Sequence, residues 1–221
     1  KKVGSIEIID PSKKKTDELM QQIGDIDTDK NEGLFKIDDN DQYVDKTEIA
    51  YNLIEGGSYY FLSRPRRFGK SLFLSTLRAI FEGKKDLFEG LYIYEKWNFE
   101  STYPVIAIDF GKGELTSKEN IDETLRVKLL ENAKRLGVEV LDTTILSLAF
   151  GSLIQAVQEK YNQKVVILID EYDKPIIDNI SDKEMAAVGR NALASFYSAI
   201  KSSDEYLKFV FMTGVSKFSK M

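Results

Sequence analysis

The chain has 221 residues, of which 43% are hydrophobic and 30% charged, as in a globular protein with one α/β domain. It contains no cysteine and no histidine, which excludes disulfides, thiolate nucleophiles, histidine triads and most zinc sites and fits a reducing, cytoplasmic compartment. With 31 basic and 36 acidic residues, its net charge of −5 gives no general attraction to nucleic acid. No apolar run approaches the roughly 20 residues that span a bilayer, so we expect no membrane partner.

The first 42 residues are predicted to be an N-terminal extension that precedes a single domain over residues 43–221. Within the extension, Ile6 to Ile9 favours a short strand and Thr16 to Ile23 a short helix. The pattern becomes regular only after this point. Asp45 is typical of the N-cap of a helix, which we expect over residues 46–55 because a glycine pair follows.

A phosphate-binding motif follows a strand predicted for residues 58–62, which are rich in aromatic side chains. The motif is the segment Ser63–Ser71, whose last three residues are Gly-Lys-Ser. Phosphate loops bind phosphate oxygens through backbone N–H groups and a lysine ammonium, and bind Mg²⁺ through a hydroxyl. Apolar residues at helical spacing then predict a helix that Gly83 ends. A nucleoside triphosphate is therefore expected to contact Arg66, Arg67, Phe68, Gly69, Lys70, Ser71 and Leu72, with Ser71 also on Mg²⁺.

The motif departs from the usual form G-x-x-x-x-G-K-[ST] at its first position. Arg64 stands in place of the first glycine, and Pro65 after it has no N–H to offer phosphate. We hypothesise that the guanidinium groups of Arg66 and Arg67 replace the missing backbone donors. The alternative is a solvated basic turn that merely contains Gly-Lys-Ser.

A pair of acids supplies the second half of a nucleotide hydrolase site. Residues 165–169 form an unbroken aliphatic run, which is typical of a strand buried on both faces of a parallel sheet. Asp170 and Glu171 follow it, at the sheet edge where ligands bind in α/β folds. Asp170 is expected to hold Mg²⁺ and Glu171 to polarise the attacking water. The alternative is a strand that ends in a helix-capping acid.

The remaining elements complete an α/β pattern. Another buried strand over residues 104–110 carries Asp109 towards the same edge, either as a strand-end cap or in a catalytic role. Thr213 ends the last strand, and is either a sensor of the γ-phosphate or an ordinary strand threonine. Helices are predicted over residues 119–136, 146–161 and 183–202, and the last strand over residues 207–213.

Strands that alternate with long crossovers predict a parallel, doubly wound α/β sheet. Together with the phosphate-binding motif and the acidic pair, they predict a P-loop NTPase three-layer sandwich with a mostly parallel sheet. In its additional-strand class, the strand that carries Thr213 lies beside the phosphate-loop strand. A five-stranded core of this class needs one more strand on the far side of the phosphate-loop strand. Because the chain stops at Met221, we expect the C-terminal part of the fold to lie beyond it.

Four motifs together closely resemble the bacterial AAA-ATPase-like family. They are Tyr43–Thr47, Arg64–Ser71, Leu168–Pro175 and Thr213–Phe218, so the resemblance covers the chain from Tyr43 to its end. Members of that family carry the same Arg-Pro-Arg-Arg-Phe-Gly-Lys-Ser loop. The resemblance therefore implies that the departure at the first glycine is a variant of the motif that the family shares. The resemblance implies ATP binding, and many members continue into a nuclease-like domain of the PD-(D/E)xK type that these residues do not contain.

The first functional hypothesis is an Mg²⁺-dependent ATPase coupled to a C-terminal effector domain. Lys70 and Ser71 bind phosphate and metal, Asp170 coordinates the metal, Glu171 activates water and Thr213 senses the γ-phosphate. The second hypothesis is a nucleotide-binding switch or scaffold that hydrolyses ATP slowly or not at all and presents a partner surface. The variant loop favours the switch, whereas a water-polarising glutamate favours the ATPase.

Two further predictions concern basic residues. A DNA-binding role for Arg64, Arg66, Arg67 and Lys70 has little support, because the cluster is short and lacks interleaved aromatic residues. Arg190, on the helix after the Asp-Glu strand, is a candidate arginine finger in a homo-oligomer.

Overall fold

The computed structural model describes residues 6–8, 45–111, 113, 115–140 and 144–215 of the chain. The strands are β1 (Ile6–Ile8), β2 (Tyr59–Ser63), β3 (Val105–Asp109), β4 (Val165–Asp170) and β5 (Leu207–Gly214). The helices are α1 (Thr47–Gly56), α2 (Lys70–Phe81), α3 (Lys118–Leu136), α4 (Leu146–Tyr161), α5 (Lys174–Ile177) and α6 (Lys183–Ser202). Short 3₁₀ turns lie at Lys85–Phe88, Tyr92–Glu95 and Asp204–Tyr206. No helix in these ranges is both long and apolar enough to cross a bilayer.

The strands form one sheet in the order β1-β2-β5-β4-β3. The four strands β2, β5, β4 and β3 are parallel, while β1 runs antiparallel to β2. The last strand therefore lies beside the phosphate-loop strand, between it and the Asp-Glu strand, as the sequence predicts. The neighbour on the far side of β2 was expected from beyond Met221, but the N-terminal residues Ile6–Ile8 occupy that position.

Helices cover both faces of the sheet, because alternate residues of the buried strands supply two separate cores. On β4, Val165, Ile167 and Ile169 pack with α3, α4 and α6. Val166 and Leu168, on the opposite face, pack with α1 and α2. The helices on the two faces and the sheet between them form three layers. Because the four strands are parallel, their carboxyl ends lie at one edge of the sheet.

The outer edge of β3 is closed by a side chain from α3. The amide of buried Asn132 accepts a hydrogen bond from Ala107 N (3.0 Å) and donates one to Ala107 O (2.8 Å). Arg135 donates to the carbonyl of Val105 on the same strand. The side chains therefore take the place of a neighbouring strand, which satisfies backbone groups that an edge strand would otherwise leave unpaired.

The start of α1 is fixed by Asp45, although the helix begins at Thr47 and Lys46 occupies the N-cap position. One Asp45 oxygen accepts from Thr47 N (2.8 Å) and from the Thr47 hydroxyl (2.7 Å). The other accepts from Tyr92 N (2.7 Å). The aspartate predicted as an N-cap thus also ties α1 to the turn that follows α2. The helix predicted for Thr16–Ile23 lies outside the described residues.

Candidate functional site

The sequence-predicted residues meet at the carboxyl edge of the parallel strands. Strand register places Leu62 beside Thr213 and Asp109 beside Asp170. The phosphate loop leaves β2 at this edge and enters α2 at Lys70. Because β5 separates β2 from β4, the loop and the acidic pair lie on either side of Thr213.

The backbone of the loop forms its turn through two left-handed residues, Arg67 (φ 66°) and Gly69 (φ 67°). Gly69 is the N-cap residue of α2, and no side chain caps that helix end. The helical ladder begins where Phe73 N donates to Gly69 O (2.9 Å). The N–H groups of Lys70, Ser71 and Leu72 precede it, and such first-turn donors can bind an anion. A left-handed residue followed by a helical one also forms a concave backbone nest suited to phosphate.

Lys70 is buried at the base of the loop, with 7% of its surface exposed. Its ammonium donates to the carbonyl oxygens of Arg64 (3.1 Å) and Pro65 (2.9 Å). Burial lowers the pKa of the ammonium, and the carboxylates of Asp170 and Glu171 oppose that shift. The cation is thus held between the loop that it belongs to and the acidic pair across the sheet.

The arginines of the loop occupy different environments. Arg64, at the position of the missing glycine, is only 2% exposed, and its N–H donates to Gly214 O (3.0 Å). Arg66 and Arg67 are exposed, as is Pro65. Two members of the basic cluster considered for DNA binding, Arg64 and Lys70, are therefore buried. The compensation of the missing backbone donors by the exposed pair stays a prediction.

Asp170 and Thr213 are bonded to each other below this edge. The Thr213 hydroxyl, which is fully buried, donates to Asp170 Oδ1. The same Oδ1 accepts from Glu171 N (3.0 Å), so both bonds use one oxygen and leave Oδ2 for a metal ion. Among the described residues, no group of three or more acidic side chains is arranged to hold a metal by itself. A single free carboxylate oxygen fits Mg²⁺ that is carried by phosphates, because Mg²⁺ is usually bound by one or two carboxylates together with substrate phosphates.

Glu171 turns away from the strand because its own backbone is left-handed (φ 50°). Its carboxylate then lies over Gly111, where a Cβ would come within 3.2 Å of Glu171 Oε2 and 2.8 Å of Asp109 Oδ1. Burial raises the pKa of Glu171, and the charges of Asp170 and Asp109 raise it further, whereas Arg66 and Lys70 act in the opposite direction. Asp109 itself accepts from Gly111 N (2.7 Å), which is the strand-end cap that the sequence left open.

Asp173, to which the sequence pattern assigned no role, is completely buried beside the site. Its Oδ2 accepts from Val215 N (2.8 Å), and its charge favours the Lys70 ammonium. A Cβ on Gly214 would lie 2.9 Å from Asp173 Cγ and 2.4 Å from a Tyr172 ring carbon, so only glycine fits between them. The position of Asp173, soon after the acidic pair in the sequence, was the signal that could have indicated this contact.

The other predicted residues occupy the first turn of α2 or lie away from it. Ser71 is exposed and Leu72 partly buried in that turn, and Phe68 is partly buried just before it. Arg190 is exposed on α6. The role of Arg190 as an arginine finger stays a prediction.

A family model described as a predicted AAA-ATPase, AAA-ATPase-like, matches residues 35–221. The chain belongs to the AAA-ATPase-like family. The resemblance drawn from the four motifs is thereby confirmed, and the match begins upstream of Tyr43.

One relative of this AAA-ATPase-like chain is described as an uncharacterized protein in the vnfD 5′ region of Azotobacter chroococcum mcd 1. The two are 43% identical over 183 residues, which is 83% of this chain and 35% of the relative. The chain thus spans about a third of the length of the curated relative that it matches. No solved structure matches the chain.

Proposed function

We propose that this AAA-ATPase-like chain binds ATP with Mg²⁺ and hydrolyses it, as a P-loop ATPase of the additional-strand class. The observation that carries the proposal is the convergence of the two motifs at one edge of the sheet, where the charges of Asp170 and Glu171 oppose the lowering of the Lys70 pKa by burial. The loop and the acidic pair are about 100 residues apart in the sequence, and the parallel sheet places them at a single edge.

Phosphate binding is assigned to the loop and the first turn of α2. The N–H groups of Lys70, Ser71 and Leu72 and the nest at Gly69 donate to phosphate oxygens, and the Lys70 ammonium reaches the β- and γ-phosphates. Arg66 and Arg67 add guanidinium donors from the exposed side of the loop. Their contribution offsets the missing N–H of Pro65.

Hydrolysis is assigned to the acidic pair. Asp170 Oδ2 and the Ser71 hydroxyl would hold Mg²⁺, which when bound neutralises charge on the phosphate oxygens. Glu171 orients a water for in-line attack on the γ-phosphorus and accepts its proton, while the bond to the β,γ-bridging oxygen breaks and ADP leaves. A raised pKa suits Glu171 to this task, because a carboxylate with a higher pKa is a stronger base. Thr213 supports the reaction from β5.

A slow or non-hydrolysing switch is the second candidate. It is favoured by the Lys70 ammonium, which already bonds to the carbonyls of Arg64 and Pro65 and must exchange contacts when phosphate binds. Glu171 argues against it, since a protein that only binds nucleotide has no need of a carboxylate poised over Gly111.

We also propose that nucleotide binding is coupled to a domain outside these residues. The relative is much longer than the matched region, so it has ample room for an effector domain. Val215, the last described residue after β5, is bonded to buried Asp173 beside Lys70. A change at the phosphate site therefore has a short route to the chain that follows.

The test is ATP binding and Mg²⁺-dependent turnover for the wild type, Lys70→Ala and Glu171→Gln. Lys70→Ala is expected to lose nucleotide affinity, because the ammonium is the main cation at the β- and γ-phosphates. Glu171→Gln is expected to bind ATP like the wild type and to lose turnover by about 10²-fold or more, since general-base catalysis contributes about 10²–10⁴-fold.

The matched control is Lys201→Ala, which removes an exposed lysine at the end of α6 next to the amino end of β5. It should leave both measurements unchanged. Unaltered ATP affinity in Lys70→Ala would refute nucleotide binding at this loop. If the wild type binds ATP without hydrolysing it, and Glu171→Gln behaves in the same way, the result would favour the switch.

A further inference from the structure

The fully buried residue Thr213 makes three hydrogen bonds to the segment that carries the acidic pair. Its hydroxyl donates to Asp170 Oδ1 and accepts from Glu171 N (3.4 Å). Its carbonyl oxygen accepts from Tyr172 N (3.0 Å). One residue of β5 therefore contacts three consecutive residues at the end of β4, the region to which metal binding and water activation are assigned.

These bonds restrain Asp170 and Glu171 in different ways. Donation to Oδ1 fixes the rotation of the Asp170 carboxylate, so that Oδ2 is the oxygen left for a metal ion. The bonds to the N–H groups of Glu171 and Tyr172 hold the peptides on either side of the left-handed Glu171. A non-glycine residue in this conformation costs about 1–3 kcal/mol and persists only where its surroundings hold it.

We infer that Thr213 is a positioning residue, which orients Asp170 towards Mg²⁺ and Glu171 towards water rather than touching the γ-phosphate itself. The hydroxyl has one proton to donate, and Asp170 Oδ1 takes it. Direct donation to a phosphate oxygen would require that bond to break, in a position that has no exposed surface. The inference rests on the proposed function, because it assigns Thr213 its role in that same reaction.

The test compares Thr213→Val with Thr213→Ser in the whole chain. Valine has the shape of threonine but lacks the hydroxyl, whereas serine keeps the hydroxyl and loses only a methyl group. The readouts are the Mg²⁺ concentration that half-saturates ATP binding, the affinity for ATP in EDTA, and turnover at saturating Mg²⁺.

Thr213→Val is expected to raise the half-saturating Mg²⁺ concentration by about tenfold or more, since losing a partner of a metal ligand costs about 10–100-fold. Affinity in EDTA should stay within about twofold, because the phosphate loop is untouched, and Thr213→Ser should restore the wild-type Mg²⁺ dependence. Both variants must first give a cooperative urea unfolding transition. If Thr213→Val does not fold, Thr213→Ala with Thr213→Ser supplies the same comparison.

Two outcomes would overturn the inference. Unchanged Mg²⁺ dependence with weaker ATP affinity in EDTA would assign Thr213 to the phosphate, as a sensor. No change in either quantity would make it an ordinary strand residue. Failure of the proposed function looks different, because Lys70→Ala would then bind ATP as the wild type does. If the wild type binds ATP without turnover, the Mg²⁺ dependence of binding still tests Thr213.

Discussion

Two glycines inside helices give a prediction in which the same substitution has opposite effects. Gly151 lies within α4 and Gly189 within α6. A Cβ on Gly151 would find its nearest neighbour, Ser203 Oγ, at 4.0 Å, an ordinary contact distance. A Cβ on Gly189 would lie 2.5 Å from the carbonyl oxygen of Pro175 and 2.9 Å from its carbonyl carbon. Because these are backbone atoms, one helix must move to admit the methyl group.

Helix propensity alone would make both alanine variants more stable, by about 0.8–1 kcal/mol each. Gly151→Ala should realise this gain. Gly189→Ala also costs about 1–3 kcal/mol for overpacking, which leaves a net loss of up to about 2 kcal/mol. The difference between the two variants therefore equals the overpacking cost alone.

Urea unfolding of the two variants and the wild type, followed by far-UV circular dichroism, measures these free energies. The slopes of the transitions should agree, so that midpoints report stability. Gly189→Ala should also lower ATP turnover, because Pro175 opens α5 soon after the acidic pair. If Gly189→Ala is as stable as Gly151→Ala, the reasoning that a methyl group at residue 189 overpacks against Pro175 is refuted.

Two other stability predictions follow from polar contacts. Asn132→Ala should lower the free energy of unfolding by about 1–3 kcal/mol, since it leaves the partly buried N–H and C=O of Ala107 without their partner. Equal midpoints in urea would contradict this. Burial raises the pKa of Glu82, but hydrogen bonds from Lys84 and Arg78 outweigh burial and lower it. A lowered folded-state pKa adds stability that is present above the unfolded pKa and is lost as pH falls, so the deficit of Glu82→Gln at pH 7 should shrink towards pH 3. A deficit that stayed constant over that range would contradict the prediction.

The sequence predicted the regular elements because each has a clear pattern. The helix after the phosphate loop, α3, α4 and α6, and the strands from β2 to β5, lie within a residue or two of their predicted bounds, whereas the short helix α5 was not predicted. The position of β5 beside β2 was also predicted and is confirmed. The aliphatic run at residues 165–169 was informative because both faces of a central strand are buried, so that no polar residue interrupts it.

The contacts that the sequence did not predict depend on tertiary structure. Asn132 has the polarity of a surface residue, and only the position of β3 at the sheet edge makes its amide a substitute strand. Arg64 was noted as the residue in place of the first glycine, and its backbone continues the pairing with β5 while its side chain is buried. The antiparallel β1 comes from a segment without a strong pattern, next to a strand more than 50 residues away. Local periodicity carries no information about such partners.

The backbone explains how this loop forms its turn without the first glycine of the usual motif. Arg64 N bonds to Gly214 O, so the residue at that position still extends the sheet and needs no left-handed conformation. The turn is made later, at Arg67 and Gly69. Of the three non-glycine residues with positive φ among those described, two are Arg67 and Glu171, and the third, Asn162, ends α4. Asparagine tolerates that conformation at a helix end, whereas arginine and glutamate do not favour it. Backbone strain is thus concentrated at the phosphate loop and at the proposed catalytic base, as expected of a site whose geometry is set before its ligand arrives.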